Sequence, residues 1–478
     1  MVMGERYNMS SKFMFPDRAT PFMFPPSMED WLPEEHLARF IVEIVGRLDL
    51  SDIRSGYSEQ TLGQKAYEPG MMVSLIFYCL VTGILSSRKM EQATWESIPV
   101  RYITGNLHPD HDTIASFRNR MKEALDVIFL KILLIAQEMG ILKLGTVSLD
   151  GTKMKANASK HKALSYEYAC KLENQLKEEL KQLWEQSEAE EGAETKKPEL
   201  NIPEEIRRRE DRLSEIERAK AEIVRREKER YEKEKAEYEA KMKAREAKEK
   251  ETGKKARGKV PQEPKEEISG KAQVNLTDED SRIMPKGKGT FDQSYNAQAG
   301  VDVGSHMIVT KHVTQACNDQ EELKPTLSEL QSLPEELGSV EKVLCDAGYY
   351  SEENLKAAEE AGMEPYIPAN REKHNEELKS RMEGAGPSPE EGAGVKERTA
   401  HRMKTEAGRK EYGKRKGTSE PVFGIIKAVM GYRSFLTRGI ENVRKEWTMV
   451  CIGYNMKRLF RLLSVSKGVL SPVFKIIR

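Results

Sequence analysis

Apolar residues fall at helical spacing between Glu34 and Leu48, where Leu37, Phe40, Ile41, Ile44 and Val45 form one face of an amphipathic helix. Further helices are predicted over Gly70–Leu85 and Arg88–Glu96, and Asp112 is placed to cap a long helix from Thr113 to about Met139. Residues 1–140 therefore read as an all-α domain. Ahead of the first helix, Phe13, Phe15, Phe22 and Phe24 are interspersed with Pro16, Pro21, Pro25 and Pro26, which reads as an extended arm.

The period changes at Gly145, where TVSLDGTKMKA alternates apolar and polar residues like a strand running into a turn. Strand signals resume in FDQSYNAQAGVDV and HMIVTKHVT, a hairpin turning near Gly304 and Ser305. A helix over Glu321–Leu333, the strand KVLCD, a helix over Ser351–Ala361 and the strand EPYIP follow. That order predicts a mixed sheet flanked by helices.

Between these strand signals, Leu164 to about Gly270 is rich in Glu, Lys, Arg and Ala and poor in large apolar residues. It predicts a solvated helix or helical hairpin turning near Glu190–Pro203. Its interspersed signs argue against a DNA-binding surface and leave a dimer contact open. Lys373–Gly394, rich in Glu, Gly, Pro and Ser, reads as a mobile loop. The resulting organisation is a helical domain over 1–140, an α/β core over 141–163 and 271–478, and a charged helical insertion over 164–270.

Composition narrows the classes. A chain of 478 residues organises two or three structural units. Lys and Arg total 78 and so do Asp and Glu, so net charge by itself does not announce a nucleic-acid partner. Five scattered cysteines without a CxxC pair fit a reduced compartment and exclude structural zinc. The longest apolar stretch, Met71–Leu85, falls short of the ~20 residues that span a bilayer, and MVMGERYNMS carries no export signal, so a cytoplasmic location is expected. His108, Asp110, His111 and Asp112 look like a metal cluster but precede a helix, where capping and exposure explain them, and no metal is assigned there. Cys345 reads as a small buried strand residue.

Candidate chemistry sits at strand ends. Asp150 closes the apolar strand VSLD before Gly151, and Asp346 closes VLCD before Ala347 and Gly348. A carboxylate at a strand edge, beside a glycine that leaves room, is well placed to hold a divalent ion against a phosphate. Glu420, at the start of the helix SEPVFGIIKAVMG, is the natural third ligand. Lys427 follows seven residues later on the same helical face, pairing a metal ligand with a phosphate-binding cation. Upstream, Tyr412 and Arg415 lie in a run with Lys410, Lys414 and Lys416, so a polyanionic substrate is expected at this carboxylate.

The segments VSLDGTKMKANAS, YNAQAGVD, VLCDAGYYSEENL and YGKRKGTSEPVFGIIK resemble the RNase H-like DDE transposases of bacterial insertion sequences, in particular the group with a Tyr-Arg-Glu-Lys signature. The resemblance, which extends to the N-terminal helical region, implies an RNase H-like core in which Asp150, Asp346 and Glu420 bind two Mg²⁺ ions, with Mn²⁺ able to substitute. It makes Tyr412, Arg415 and Lys427 the residues that contact or orient DNA near the cleaved bond, with Lys414 and Lys416 beside them. Four residues separate Arg415 from Glu420, where the signature has three.

The implied activity is metal-dependent cleavage at transposon ends followed by strand transfer into target DNA. The implied partners are terminal inverted repeats and target DNA, bound by a homodimer associated with the bacterial nucleoid, with no membrane involved. Helical N-terminal domains of this family are expected to recognise the ends. Two alternatives use the same residues: a nuclease of the same fold that does not join DNA, and a domesticated DNA-binding protein that has lost catalysis.

Overall fold

The computed structural model describes residues 27–57, 66–190, 201–252, 260–286, 289–370, 386–390 and 392–465. The extended arm read at Phe13–Pro26, residues 191–200 at the turn of the insertion, and most of the Lys373–Gly394 loop lie outside the described residues. Among the described residues no helix is long and apolar enough to cross a membrane.

Two compact units divide the chain. The first comprises Met1–Cys79 and Ile84–Arg120, and its described residues form helices α1 (Leu37–Gly46), α2 (Ser51–Ser55), α3 (Pro69–Val81, whose last residues belong to the second unit), α4 (Ser87–Glu96), α5 (Ile98–Thr104) and α6 (His111–Met121). The i, i+3, i+4 pattern of α1 buries Ala38, Phe40, Ile41, Ile44 and Val45. The cap of α6 is Asp110 rather than Asp112: Oδ1 of Asp110 accepts from the Thr113 amide at 2.8 Å and Oδ2 from the Thr113 hydroxyl at 2.8 Å. His111 instead meets the Glu91 carboxylate at 2.7 Å, and His108 stacks on Trp95.

The single long helix read from Thr113 to Met139 is two helices. A 3₁₀ turn over Lys122–Ala124 separates α6 from α7 (Leu125–Glu138), and the break coincides with the end of the first unit. Apolar periodicity continues through the turn because α7 buries its own face, Leu125, Ile128, Phe129, Ile132 and Leu133.

The second unit, Leu80–Gly83 and Met121–Arg478, is built on a mixed sheet. Its strands are β1 (Thr146–Lys155), β4 (Arg282–Pro285), β5 (Phe291–Asp302), β6 (Ile308–Thr314), β7 (Lys342–Leu344) and β8 (Glu364–Tyr366), while β2 (Ala163–Ser165) and β3 (Gln273–Asn275) form a separate ribbon. The path runs β4–β5–β1–β7–β8, and β6 also pairs with β5. β5 is antiparallel to β1, β4 and β6, whereas β1, β7 and β8 run parallel. β5 is buried on both faces from Gln293 to Asp302, polar side chains included, so its amides must be satisfied inside the protein.

The remaining helices of this unit are α8 (Tyr166–Glu190), α9 (Ile202–Thr252), α10 (Leu323–Gln331), α11 (Glu352–Glu360), α12 (Val395–Lys404), α13 (Glu406–Gly424) and α14 (Ile440–Val465). The charged insertion is an α8–α9 hairpin zipped by Leu164, Ala169, Leu176, Ile216, Ala219 and Ile223, with Leu180, Leu183, Ile202 and Ile206 closing its far end. Its many Glu–Lys and Glu–Arg pairs lie at i, i+3 and i, i+4 on solvated faces.

Candidate active site

Four alternating residues on one face of β1 meet α13 or the turn that follows it. Thr146 Oγ1 donates to Glu411 Oε1 at 3.3 Å, the Ser148 and Ser419 hydroxyls lie 2.6 Å apart, Asp150 Oδ2 accepts from Arg415 Nη1 at 3.3 Å, and Lys427 Nζ donates to the Thr152 hydroxyl. The period-2 pattern of TVSLDGT thus supplies a polar stripe. This stripe fixes the basic helix across the strand.

Asp346 stands beside Asp150 because β7 pairs in parallel with β1, Leu344 opposite Ser148. It caps the short helical turn Ala347–Tyr349, its Oδ1 accepting the Gly348 amide at 2.7 Å. Burial pushes the Asp150 carboxyl up to about 6; Arg415 opposes this, while Asp346 and Asp319 add to it. For Arg415, burial disfavours the charge, but Asp150, Tyr412 and Asp346 outweigh it and hold the guanidinium above its ordinary value. Lys427 is held below its ordinary value by burial and by Lys286, with Asp150 working the other way.

The other sequence-predicted residues divide. Tyr412 is buried against Leu344 and Tyr366, so its ring belongs to the core and its hydroxyl serves Arg415. The Arg415 side chain is only 12% exposed, and its Nε finds no acceptor among the described residues. Lys414 is paired with Glu411 at 2.8 Å, and Lys416 is exposed on the same helix. Glu420 is exposed, one residue past the Ser419 anchor. Lys427 sits in a π turn, Ile425–Val429, after α13 ends at Gly424. The widened turn breaks the seven-residue, one-face relation expected between Glu420 and Lys427. Among the described residues, no three His, Cys, Asp or Glu side chains are grouped as a metal site.

The glycine after Asp150 does not open room for a ligand. A Cβ on Gly151 would collide with Gln298 Nε2 and stand 2.7 Å from Asp319 Oδ1 and 2.9 Å from Asn296 Oδ1. Sequence reading missed this group, Asn296, Gln298 and Asp319. Its signal was the unusual density of amides in a strand, YNAQA, that carries no alternation of burial. Cys345 is fully buried, and burial drives its thiol well up.

Comparison with protein families finds two matches. Residues 259–456 match the Transposase DDE domain, and residues 26–120 match a Transposase domain (DUF772). The first match takes in Asp319, Asp346 and Glu420; Asp150 lies ahead of it and joins it through the β1–β5 and β1–β7 ladders. No curated protein and no solved structure matches. The two matches, falling on separate stretches of the chain, support a DDE-type transposase family and a transposase function.

Proposed function

We propose that this chain is a DDE transposase that cuts DNA at transposon ends and joins the freed 3′ end to target DNA. The observation that carries the reading is the pairing of Asp150 and Asp346 on neighbouring parallel strands under a cationic helix, in a chain whose matched segments are both transposase domains. We read the α/β core as RNase H-like; two acids on adjacent strands and a third on a later helix support this.

The donor set suits Mg²⁺, a hard cation that prefers carboxylate oxygens. Burial leaves Asp150 short of counter-charge, and one Arg415 contact at 3.3 Å offsets this only in part. Asp150, Asp346 and Glu420 would hold two Mg²⁺ ions, or Mn²⁺, with Glu420 delivered from the exposed side of α13. Bound ions would supply activation of the attacking oxygen and neutralisation of the leaving one.

The chain's own residues do the rest. The Arg415 guanidinium and the Lys427 ammonium bind phosphate oxygens at the scissile bond, Tyr412 orients Arg415, and Lys414 and Lys416 continue the cationic face along the DNA backbone. Residues 1–140 recognise the ends, 141–163 with 271–478 form the catalytic core, and 164–270 is an inserted helical element. Cutting two ends together calls for two copies on DNA. The test is cleavage of end-bearing DNA with Mg²⁺: loss in both Asp150→Ala and Asp346→Ala, with DNA binding kept, is expected, and cleavage surviving in either overturns the assignment.

A further inference from the structure

On the face of β1 opposite to α13, a polar group made of buried Asn296 and Gln298 and half-buried Asp319 backs the two acids. Gly151 pairs with Gln298, and two residues along β5 lies Asn296. Asp319 Oδ1 accepts from Asn296 Nδ2 at 2.7 Å and from Gln298 Nε2 at 2.6 Å. Gln298 is held at its other end, its Oε1 accepting from the Tyr349 hydroxyl and its backbone carbonyl from Trp447 Nε1 at 3.0 Å. Asn354 Nδ2 ties the two sides together by donating to the carbonyls of Gln320 at 2.6 Å and Tyr349 at 2.7 Å.

This network places one carboxylate against both glycines that follow the two acids, Gly151 directly after Asp150 and Gly348 two residues after Asp346. Asp319 Oδ1 lies 2.7 Å from where a Cβ on Gly151 would stand, and Oδ2 lies 3.8 Å from where one on Gly348 would stand. Gly348 is also the residue whose amide caps Asp346. Tyr349, fully buried, follows it directly. Two amide donors fix Oδ1, so the carboxylate is held behind the Asp150–Asp346 pair.

We propose that Asp319 is a positioning residue for a divalent cation: it fixes the Gly348–Tyr349 turn through Gln298 and adds anionic charge behind Asp150 and Asp346 without ligating the metal. The proposal rests on the reading of those two acids as metal-holding. Groups of this kind, hydrogen-bonded behind the ligands, typically change metal affinity by ~10- to 100-fold when altered. Asp319→Asn separates charge from shape, because its Oδ1 still accepts from Asn296 and Gln298.

The experiment titrates the full chain, without DNA, with Mn²⁺ by calorimetry, and follows folding by circular dichroism. Asp150→Ala is expected to abolish binding, Asp319→Asn to weaken it about tenfold or more at unchanged secondary structure, and Asn296→Ala, which keeps the charge but removes one donor, about threefold. If Asp319→Asn fails to fold, the Asn296→Ala result decides. Binding lost in Asp150→Ala but unchanged in the folded variants at 319 and 296 makes Asp319 a loop-bracing residue only and overturns the proposal while the site stands. Unchanged binding in Asp150→Ala removes the site itself, and the proposal with it.

Discussion

Replacing Asp150 by Asn should stabilise the metal-free protein near neutral pH. The side chain is 18% exposed, and burial moves its carboxyl from 3.8 to about 6, a net figure that already includes the attraction of Arg415. At 1.36 kcal/mol per unit, keeping this carboxylate ionised in the folded state costs about 3 kcal/mol at pH 7.5. The sign comes from proton binding. Between pH ~4 and ~6 the folded chain keeps a proton that the unfolded chain has released, so this group's contribution falls as pH rises through that window and stays low above it. An amide of the same shape carries no such cost. For the larger unit, Leu80–Gly83 with Met121–Arg478, an unfolding entropy of ~0.75 kcal/mol/K turns that difference into about 4 °C in Tm. Thermal unfolding in EDTA from pH 4 to 8 should show the two proteins converging near pH 4, separating as pH rises from ~4 to ~6, and staying apart by a constant margin above that. Mg²⁺ at pH 7.5 should raise the wild-type Tm and leave the variant's unchanged. A variant that melts at or below wild type at pH 7.5, or a Tm difference independent of pH, would refute the reasoning.

Other outcomes follow from the same geometry. Gly151→Ala drives a methyl into Gln298 and Asp319 and should cost about 1–3 kcal/mol in urea unfolding; a neutral result would mean the amide network yields easily. Ser148→Ala and Ser419→Ala each break the 2.6 Å contact between buried hydroxyls and should cost about 1–2 kcal/mol, with the double variant losing less than the sum of the two. Lys427→Met and Lys416→Ala should each weaken DNA binding and lower the slope of log affinity against log salt by about one, which fluorescence anisotropy across salt concentrations would check.

Legibility in the sequence tracked how local each feature is. The helical face of α1, the β1 strand and the charged α8–α9 hairpin announce themselves through period and composition: the helices satisfy their own backbone and need only one apolar stripe, and β1 shows its two-residue alternation although its backbone partners lie on distant β5 and β7. The division between α6 and α7 was hidden, since apolar periodicity runs through the Lys122–Ala124 turn. At the site, the position of Asp346 just past a strand could be read from VLCD, but Asp150 does not close its strand as VSLD suggested: β1 continues to Lys155 because Gly151–Lys155 stay paired with β5, and the adjacency of the two acids depends on the β1–β7 ladder. Asp319, which sits 27 residues before Asp346 in a loop ahead of α10, gives no sign in sequence of facing Gly151. The face of α13 was also beyond reach: a helical wheel cannot anticipate that Tyr412 turns into the core or that a π turn carries Lys427.

The measurement that bears most directly on the account incubates purified wild-type protein and Glu420→Ala with labelled DNA bearing candidate element ends, plus Mg²⁺, and scores cleavage and joining together. The account predicts both products with wild type and neither with the variant, although the variant still binds DNA. Cleavage that persists in Glu420→Ala would contradict the placement of the third carboxylate, and wild-type binding with no cleavage would contradict the transposase reading in favour of a protein that holds DNA without cutting it.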